Sequence, residues 1–236
     1  MTKLNEMRRL IIERDVEIIT AYELHSLGYS KSWLKYALKV LVREKTLYRL
    51  KKGMYSKTNP ESMDLFKTAT LLFGGYLGLS TAAYIHGWTD EYQYTIFVLT
   101  DKTSKKMNLG NHEIRAISVK KRFSGSCYYN NYVVSTKWKT VFDLLYFIDI
   151  FGASALKYIS NAKMSKKEWK DFIRYAKSES KSFRQKTGYI LEKLNKNAEL
   201  QQLIPKKPVV VKLGKGSKSK FDKKWKVLDY MGVCND

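Results

Sequence analysis

Residues 28–57 read GYSKSWLKYALKVLVREKTLYRLKKGMYSK, and the fold is decided there. Gly28 stands just past a short segment, Tyr22 to Leu27, where a left-handed glycine ends a helix. Ser30 occupies an N-cap position, and Leu34, Ala37, Leu38 and Leu41 recur on one face of a helix running to about Glu44. Ser30 and Lys31 open that helix; Ser32, Tyr36, Lys39 and Arg43 lie on its other face, with Lys35 at the edge. The β-prone run Thr46 to Leu50, the turn Lys51, Lys52 and Gly53, and a second run Met54 to Lys57 predict a short hairpin.

Upstream, Leu4, Met7, Leu10 and Ile11 share an apolar face, which predicts a first helix over Leu4 to Arg14. Helix, helix, turn, helix, hairpin is the order of a winged helix-turn-helix, here residues 1–58. Asn59 and Pro60 punctuate the chain, and Pro60 suits the first turn of a helix continuing to Phe73. Gly74 and Gly75 break that helix, and Ser80 caps a short one through Ile85. Strands are expected at Tyr92 to Thr100, His112 to Val119 and Cys127 to Val134. The rest reads as helices at Lys137 to Ile148, Ala153 to Ser160, Lys166 to Lys177 and Phe183 to Asn195, the third opened by Ser165 and Glu168 at capping-box spacing. The expectation is an α+β chain, an N-terminal winged helix-turn-helix followed by a mixed sheet-and-helix C-terminal domain over 59–236.

Lys and Arg number 44 against 22 Asp and Glu, a formal net charge of +22 that favours polyanionic partners. Residues 29–57 hold nine basic side chains and one acid, Glu44, a net of +8. A helix so charged on one side fits the DNA major groove. Ser32, Tyr36 and Lys39 are placed for base edges, Lys35 and Arg43 for phosphates, and Arg49, Lys51 and Lys52 for the flanking backbone. Trp33 reads as a packing residue. The expected partner is double-stranded DNA.

Met1 to Leu10 lacks the apolar segment of a signal peptide, and no apolar run approaches the roughly 18 residues that span a bilayer, so a cytoplasmic protein without a membrane partner is expected. Cys127 and Cys234 read as plain thiols. No catalytic constellation, cofactor or metal site emerges. His86 lacks a motif partner and reads as a helix-end packing residue, and His25, His86 and His112 lack metal-ligand spacing. Asp90 with Glu91 and Asp143 with Asp149 read as surface acids. GKGSKSK, residues 214–220, lacks the order of a phosphate loop and reads as a mobile basic loop. It lies within Lys206 to Lys226, where nine lysines meet one acid, Asp222, for a net of +8; nucleic-acid contact and a merely solvated charge are both open there. Tyr128, Tyr129 and Tyr132 read as core residues of a strand.

Four motifs, in order, resemble the AbiEi family of antitoxins from type IV toxin-antitoxin and abortive-infection systems. They are Tyr48 to Tyr55 with its basic turn; Leu79, Ser80, Ala83, His86, Gly87 and Trp88; Lys139 to Leu144; and Thr187 to Glu192 with a late Lys224, Trp225 and Lys226. Lys186 and Thr187 stand where that family often has Arg-Leu. The resemblance implies an antitoxin that represses its own promoter and opposes a nucleotidyltransferase-like toxin without forming a stable complex with it. The alternatives are a nucleic-acid-processing enzyme that uses its winged helix for targeting, and an interaction module that binds an acidic protein.

Overall fold

Met7 and Ile11, one turn apart on the helix Lys3–Glu13 (α1), are fully buried, and a core of Ile19, Leu24, Leu34, Ala37, Leu38, Leu41 and Leu47 closes over them. The computed structural model describes residues 2–196 and 199–233. The chain runs on through β1 (Ile18–Thr20), α2 (Ala21–Ser26), α3 (Lys31–Arg43), β2 (Tyr48–Lys51) and β3 (Met54–Ser56). Thr20 ends β1 and caps α2: its hydroxyl accepts from the Glu23 amide (3.1 Å), while the Glu23 carboxylate accepts from the Thr20 amide (2.8 Å). The three strands lie in the order β1-β3-β2, all antiparallel. Three residues of β1 carry too little alternation to be read as a strand, and pairing with β3 makes them one.

The helix expected from Pro60 to Phe73 is two elements. Pro60–Ser62 is a single 3-10 turn, and Asp64 then caps a separate helix, α4 (Leu65–Phe73), by accepting from the Phe66 and Lys67 amides (3.0 and 3.1 Å). Gly74, with φ +63°, ends α4 and turns the chain into β4 (Gly75–Leu77) rather than a loop. Next come α5 (Leu79–Ile85), with Gly78 and not Ser80 at its N-cap, β5 (Thr95–Thr100), β6 (Lys105–Leu109), β7 (His112–Ser118), β8 (Ser126–Tyr129) and β9 (Tyr132–Ser135). Six of these strands form one sheet in the order β6-β7-β5-β4-β9-β8, parallel at β5/β7 and β4/β9 and antiparallel elsewhere. Its core also takes in Leu50, Ile18 and Met54 from the N-terminal sheet, so the first hairpin packs directly against the six-stranded sheet and its helices.

The expected strand Cys127 to Val134 is instead the hairpin β8–β9, turned at Asn130 and Asn131, both left-handed at φ +48° and +64°. Because β8 is an edge strand, Tyr128 and Tyr129 are exposed (72% and 41%) and are not core residues; Tyr132 alone of the three packs inward, edge-on to Phe66 at 5.4 Å. Tyr92 and Tyr94 lie outside β5 and are also exposed. Cys127 is half-buried, which pushes its thiol up, and Cys234 lies outside the described residues.

The remaining elements are α6 (Lys137–Tyr146), α7 (Ile148–Asn161, interrupted at Gly152), α8 (Lys166–Ala176), α9 (Lys181–Lys193), β10 (Val211–Leu213), β11 (Lys220–Asp222) and β12 (Val227–Asp229). The capping box of Ser165 and Glu168 opens α8. Residues 214–219 are an exposed loop that connects β10 to β11 of a small sheet, ordered β10-β12-β11, with Gly214 packed on Met231 at its start. The molecule is therefore mixed α+β with several sheets. Among the described residues, no helix is long and apolar enough to cross a membrane.

Candidate nucleic-acid interface

The turn between α2 and α3 is held by backbone and side chain together. Gly28 takes φ +93° and donates to the His25 carbonyl (3.0 Å), and His25 Nδ1 meets the Tyr29 carbonyl (2.8 Å). The Ser30 hydroxyl then accepts from the Trp33 amide (3.4 Å), which caps α3. Trp33 stacks on Tyr29 at 5.1 Å, and the Lys3 ammonium lies 5.0 Å from the Trp33 ring centre, tying the start of α1 to the start of α3. α3 is thus fixed at its first turn by contacts that leave its outer face free.

That outer face is the one expected. Lys31, Ser32, Lys35, Tyr36, Lys39 and Arg43 are exposed, Ser30 is exposed at the cap, and Leu34, Ala37, Leu38, Val40 and Leu41 are buried beneath. Helical rotation of 100° per residue divides the exposed set into two edges. Lys31, Lys35 and Lys39 run along one edge and line a groove of about 700 Å³ that is closed by the β2–β3 hairpin, with Arg49 and Lys52, and by Ala21, Tyr22 and His25 of α2. Ser32, Tyr36 and Arg43 lie on the edge away from it. The groove floor is apolar, from Leu34, Leu38, Val42 and Tyr55, which holds helix and hairpin together. At the hairpin tip Gly53 takes φ +78°, and its carbonyl accepts from the Ala21 amide (2.9 Å), which fixes Lys52 beside α2.

The acid of this segment is sequestered. Glu44 pairs with Arg8 of α1 at 2.6 Å, so no carboxylate competes for the basic face from within it. Lys51, expected to grip a phosphate, departs from that expectation: its ammonium donates to the Leu72 carbonyl at the end of α4, beside the Phe73 ring, and burial pushes it below its ordinary range. The β2–β3 pairing shifts register between Arg49 and Lys51, a bulge that breaks the strict alternation, so Arg49 lines the groove while Leu50 and Lys51 both reach α4. Lys51→Met, which keeps the packed stem and deletes the bond, is expected to lower stability by about 1–2 kcal/mol in a urea titration.

The other polar candidates of the sequence are dispersed. His86 Nε2 meets the Ser135 carbonyl (2.8 Å), and burial pulls its pKa down; His112 Nε2 meets the Tyr92 hydroxyl (2.8 Å). Glu91 accepts from Lys157 (2.8 Å) and Tyr158 (2.7 Å), and Asp149 pairs with Lys186 (3.3 Å). Asp143 is no surface acid: it is 1% exposed and pairs with the fully buried Lys139 one helical turn away. Among the described residues, no group of three or more His, Cys, Asp or Glu side chains converges as a metal site would need. Sequence reasoning missed the groove itself, because its floor joins residues from two elements whose approach is a property of the tertiary fold. No family model matches the chain, and no curated protein matches it significantly.

Proposed function

We propose that residues 1–58 are a winged helix-turn-helix that binds duplex DNA, with α3 in the major groove and the β2–β3 hairpin as the wing over the flanking backbone. The observation that carries this is the convergence of Lys31, Lys35, Lys39, Arg49 and Lys52 on one surface while the segment's acid is held elsewhere by Arg8. A helix of 13 residues extends about 20 Å and fits a groove about 12 Å wide. Ser32, Tyr36 and Lys39 face base edges, and Lys31, Lys35, Arg43, Arg49 and Lys52 face phosphates, with Ser30 setting the start of the helix.

The resemblance to AbiEi antitoxins extends the proposal to a cytoplasmic regulator that represses its own operon. Residues 59–236 would then oppose a nucleotidyltransferase-like toxin without forming a stable complex with it.

The test is a fluorescence-anisotropy titration of the gene's own upstream duplex against a scrambled duplex at two salt concentrations. Wild type is expected to prefer the upstream duplex. Lys39→Ala is expected to cost about 1–3 kcal/mol and relax that preference, whereas Lys52→Ala weakens both duplexes evenly and lowers the salt slope by about one. Equal binding to both duplexes, with no effect of a Lys35/Lys39 double alanine variant, would overturn the assignment.

A further inference from the structure

A second concentration of charge lies late in the sequence, where residues 206–226 hold nine lysines against Asp222. The Asp222 carboxylate accepts from the Trp225 amide (2.8 Å), and among the described residues only Lys224 of the nine makes an ion pair, with Glu192 (2.7 Å). The lysines are carried on or beside the sheet β10-β12-β11. Its inner face, Val211, Leu213, Val227 and Asp229, is buried, and Gln185 and Tyr189 of α9 reach it by hydrogen bonds to Val209 and Asp229. Register places Lys212 opposite Leu228, and Leu228 opposite Phe221. Opposed residues on neighbouring strands share a face, so these three make one outward row about 10 Å across. The Phe221 ring at the end of the row is 46% exposed, with Lys223 two residues further on.

A half-exposed phenyl ring among unpaired lysines contributes little to a core already filled by Trp225, Val211 and Leu213. We propose that this outward row binds single-stranded nucleic acid, with the lysines on phosphates and Phe221 stacked on an unpaired base against Leu228. Bases within a duplex are already stacked and paired and offer no face to the ring, whereas a single strand does. Even with the exposed Val209 and Val210 that precede β10, Phe221 and Leu228 make only a small apolar patch for anchoring in a bilayer, whereas stacking a base needs only one ring face. This surface shares no residue with α3 or its hairpin, so the proposal stands apart from duplex recognition.

The probe is a fluorescein-labelled oligouridylate of about 12 nucleotides, within the usual range of single-strand sites. Phe221→Ala is expected to weaken its binding about tenfold or more, and Phe221→Trp to retain it. Lys212→Ala/Lys223→Ala is expected to lower the salt slope by about 1.4, the value for two phosphates of a single strand. The Lys35/Lys39 double alanine variant should bind the oligouridylate as wild type does, and unchanged thermal melts certify the fold of each variant. The proposal is overturned if wild type does not bind the oligouridylate, if Phe221→Ala binds as Phe221→Trp does, or if the Lys35/Lys39 variant loses it. It is equally overturned if phosphatidylserine vesicles are bound and the oligouridylate is not. Absence of a duplex preference in the preceding test leaves this outcome unaffected.

Discussion

Replacing Lys139 by methionine is expected to destabilise the protein by about 3–5 kcal/mol, the cost of leaving one charge of a buried pair alone. Lys139 and Asp143 are 0% and 1% exposed, lie one turn apart on α6, and are joined by a direct hydrogen bond. The ammonium also sits 5.1 Å from the Phe142 ring centre and 5.9 Å from those of Tyr76 and Tyr175, an aromatic lining that favours a cation. Burial nevertheless pulls Lys139 below its ordinary range and pushes Asp143 up to about 6, against the opposing pull of Lys139.

With the ammonium gone, the carboxylate loses its hydrogen-bonded partner and keeps only the weaker pull of Arg122, which is itself paired with Glu179, so the folded state holds its proton more tightly than the unfolded chain does. Stability tied to that proton is fully present below the unfolded value near 4, and it is lost as pH rises through the folded value. The deficit of Lys139→Met should therefore shrink as the solution is acidified from pH 7 toward pH 4. The double variant Lys139→Met/Asp143→Leu removes both charges and should return to within about 1–2 kcal/mol of wild type or exceed it. Urea titrations followed by circular dichroism at pH 7 and pH 5 read all three proteins. A single variant as stable as wild type at pH 7 would mean that the pair is solvated.

The contrast between this pair and α3 explains what was legible in the sequence. Each feature of α3 is local: the Gly28 turn, the Ser30 cap and the spacing of Leu34, Leu38 and Leu41 lie within one 14-residue window, and the exposed face follows from the buried one. Asp143 shows no such local sign, because Lys at i and Asp at i+4 is the pattern of a solvated helix pair; burial comes from α5, α7 and α8 packing around α6. β6 is exposed at Lys105, Lys106 and Asn108 and turns only Met107 and Leu109 inward, too short an alternation to read as a strand, and it is completed by pairing with β7 along an edge. Charged edge residues also protect that edge from pairing with another chain. The Asn130–Asn131 turn was readable, since two left-handed asparagines mark a two-residue hairpin, and with it the exposure of Tyr128 and Tyr129 on the outer strand. Lys51 was not readable, because which side of β2 meets α4 depends on how the hairpin docks.

Trp225→Ala is expected to cost about 3–5 kcal/mol and to loosen the C-terminal sheet. The ring is 1% exposed and occupies a notch that α9 provides by having glycine at 188: a Cβ there would lie 2.1 Å from Trp225 Cη2 and Cζ3. Polar groups of the same helix hold the rest of the residue. The indole N–H donates to Glu192, which also binds Lys224 (2.7 Å), and the Trp225 carbonyl accepts from Gln185 Nε2 (2.5 Å). Gln185 joins the Val209 carbonyl (2.7 Å) as well, and Tyr189 donates to Asp229 (3.0 Å). The Gly-Tyr and Glu of residues 188–192 are thus the seat of the late tryptophan, and loss of the ring empties it.

A glycine inside a helix costs about 1 kcal/mol relative to alanine, so Gly188 is tolerated for the ring alone. Gly188→Ala by itself should destabilise by about 1–3 kcal/mol through overpacking. In the Trp225→Ala background, where nothing fills the notch, the same change should instead stabilise by about 1 kcal/mol. Urea titrations of the four proteins give the cycle, and hydrogen exchange over residues 211–229 gives the local loosening. If Gly188→Ala is destabilising in both backgrounds, the notch does not exist for the ring, and the attachment of the C-terminal sheet rests on Gln185 and Tyr189 instead.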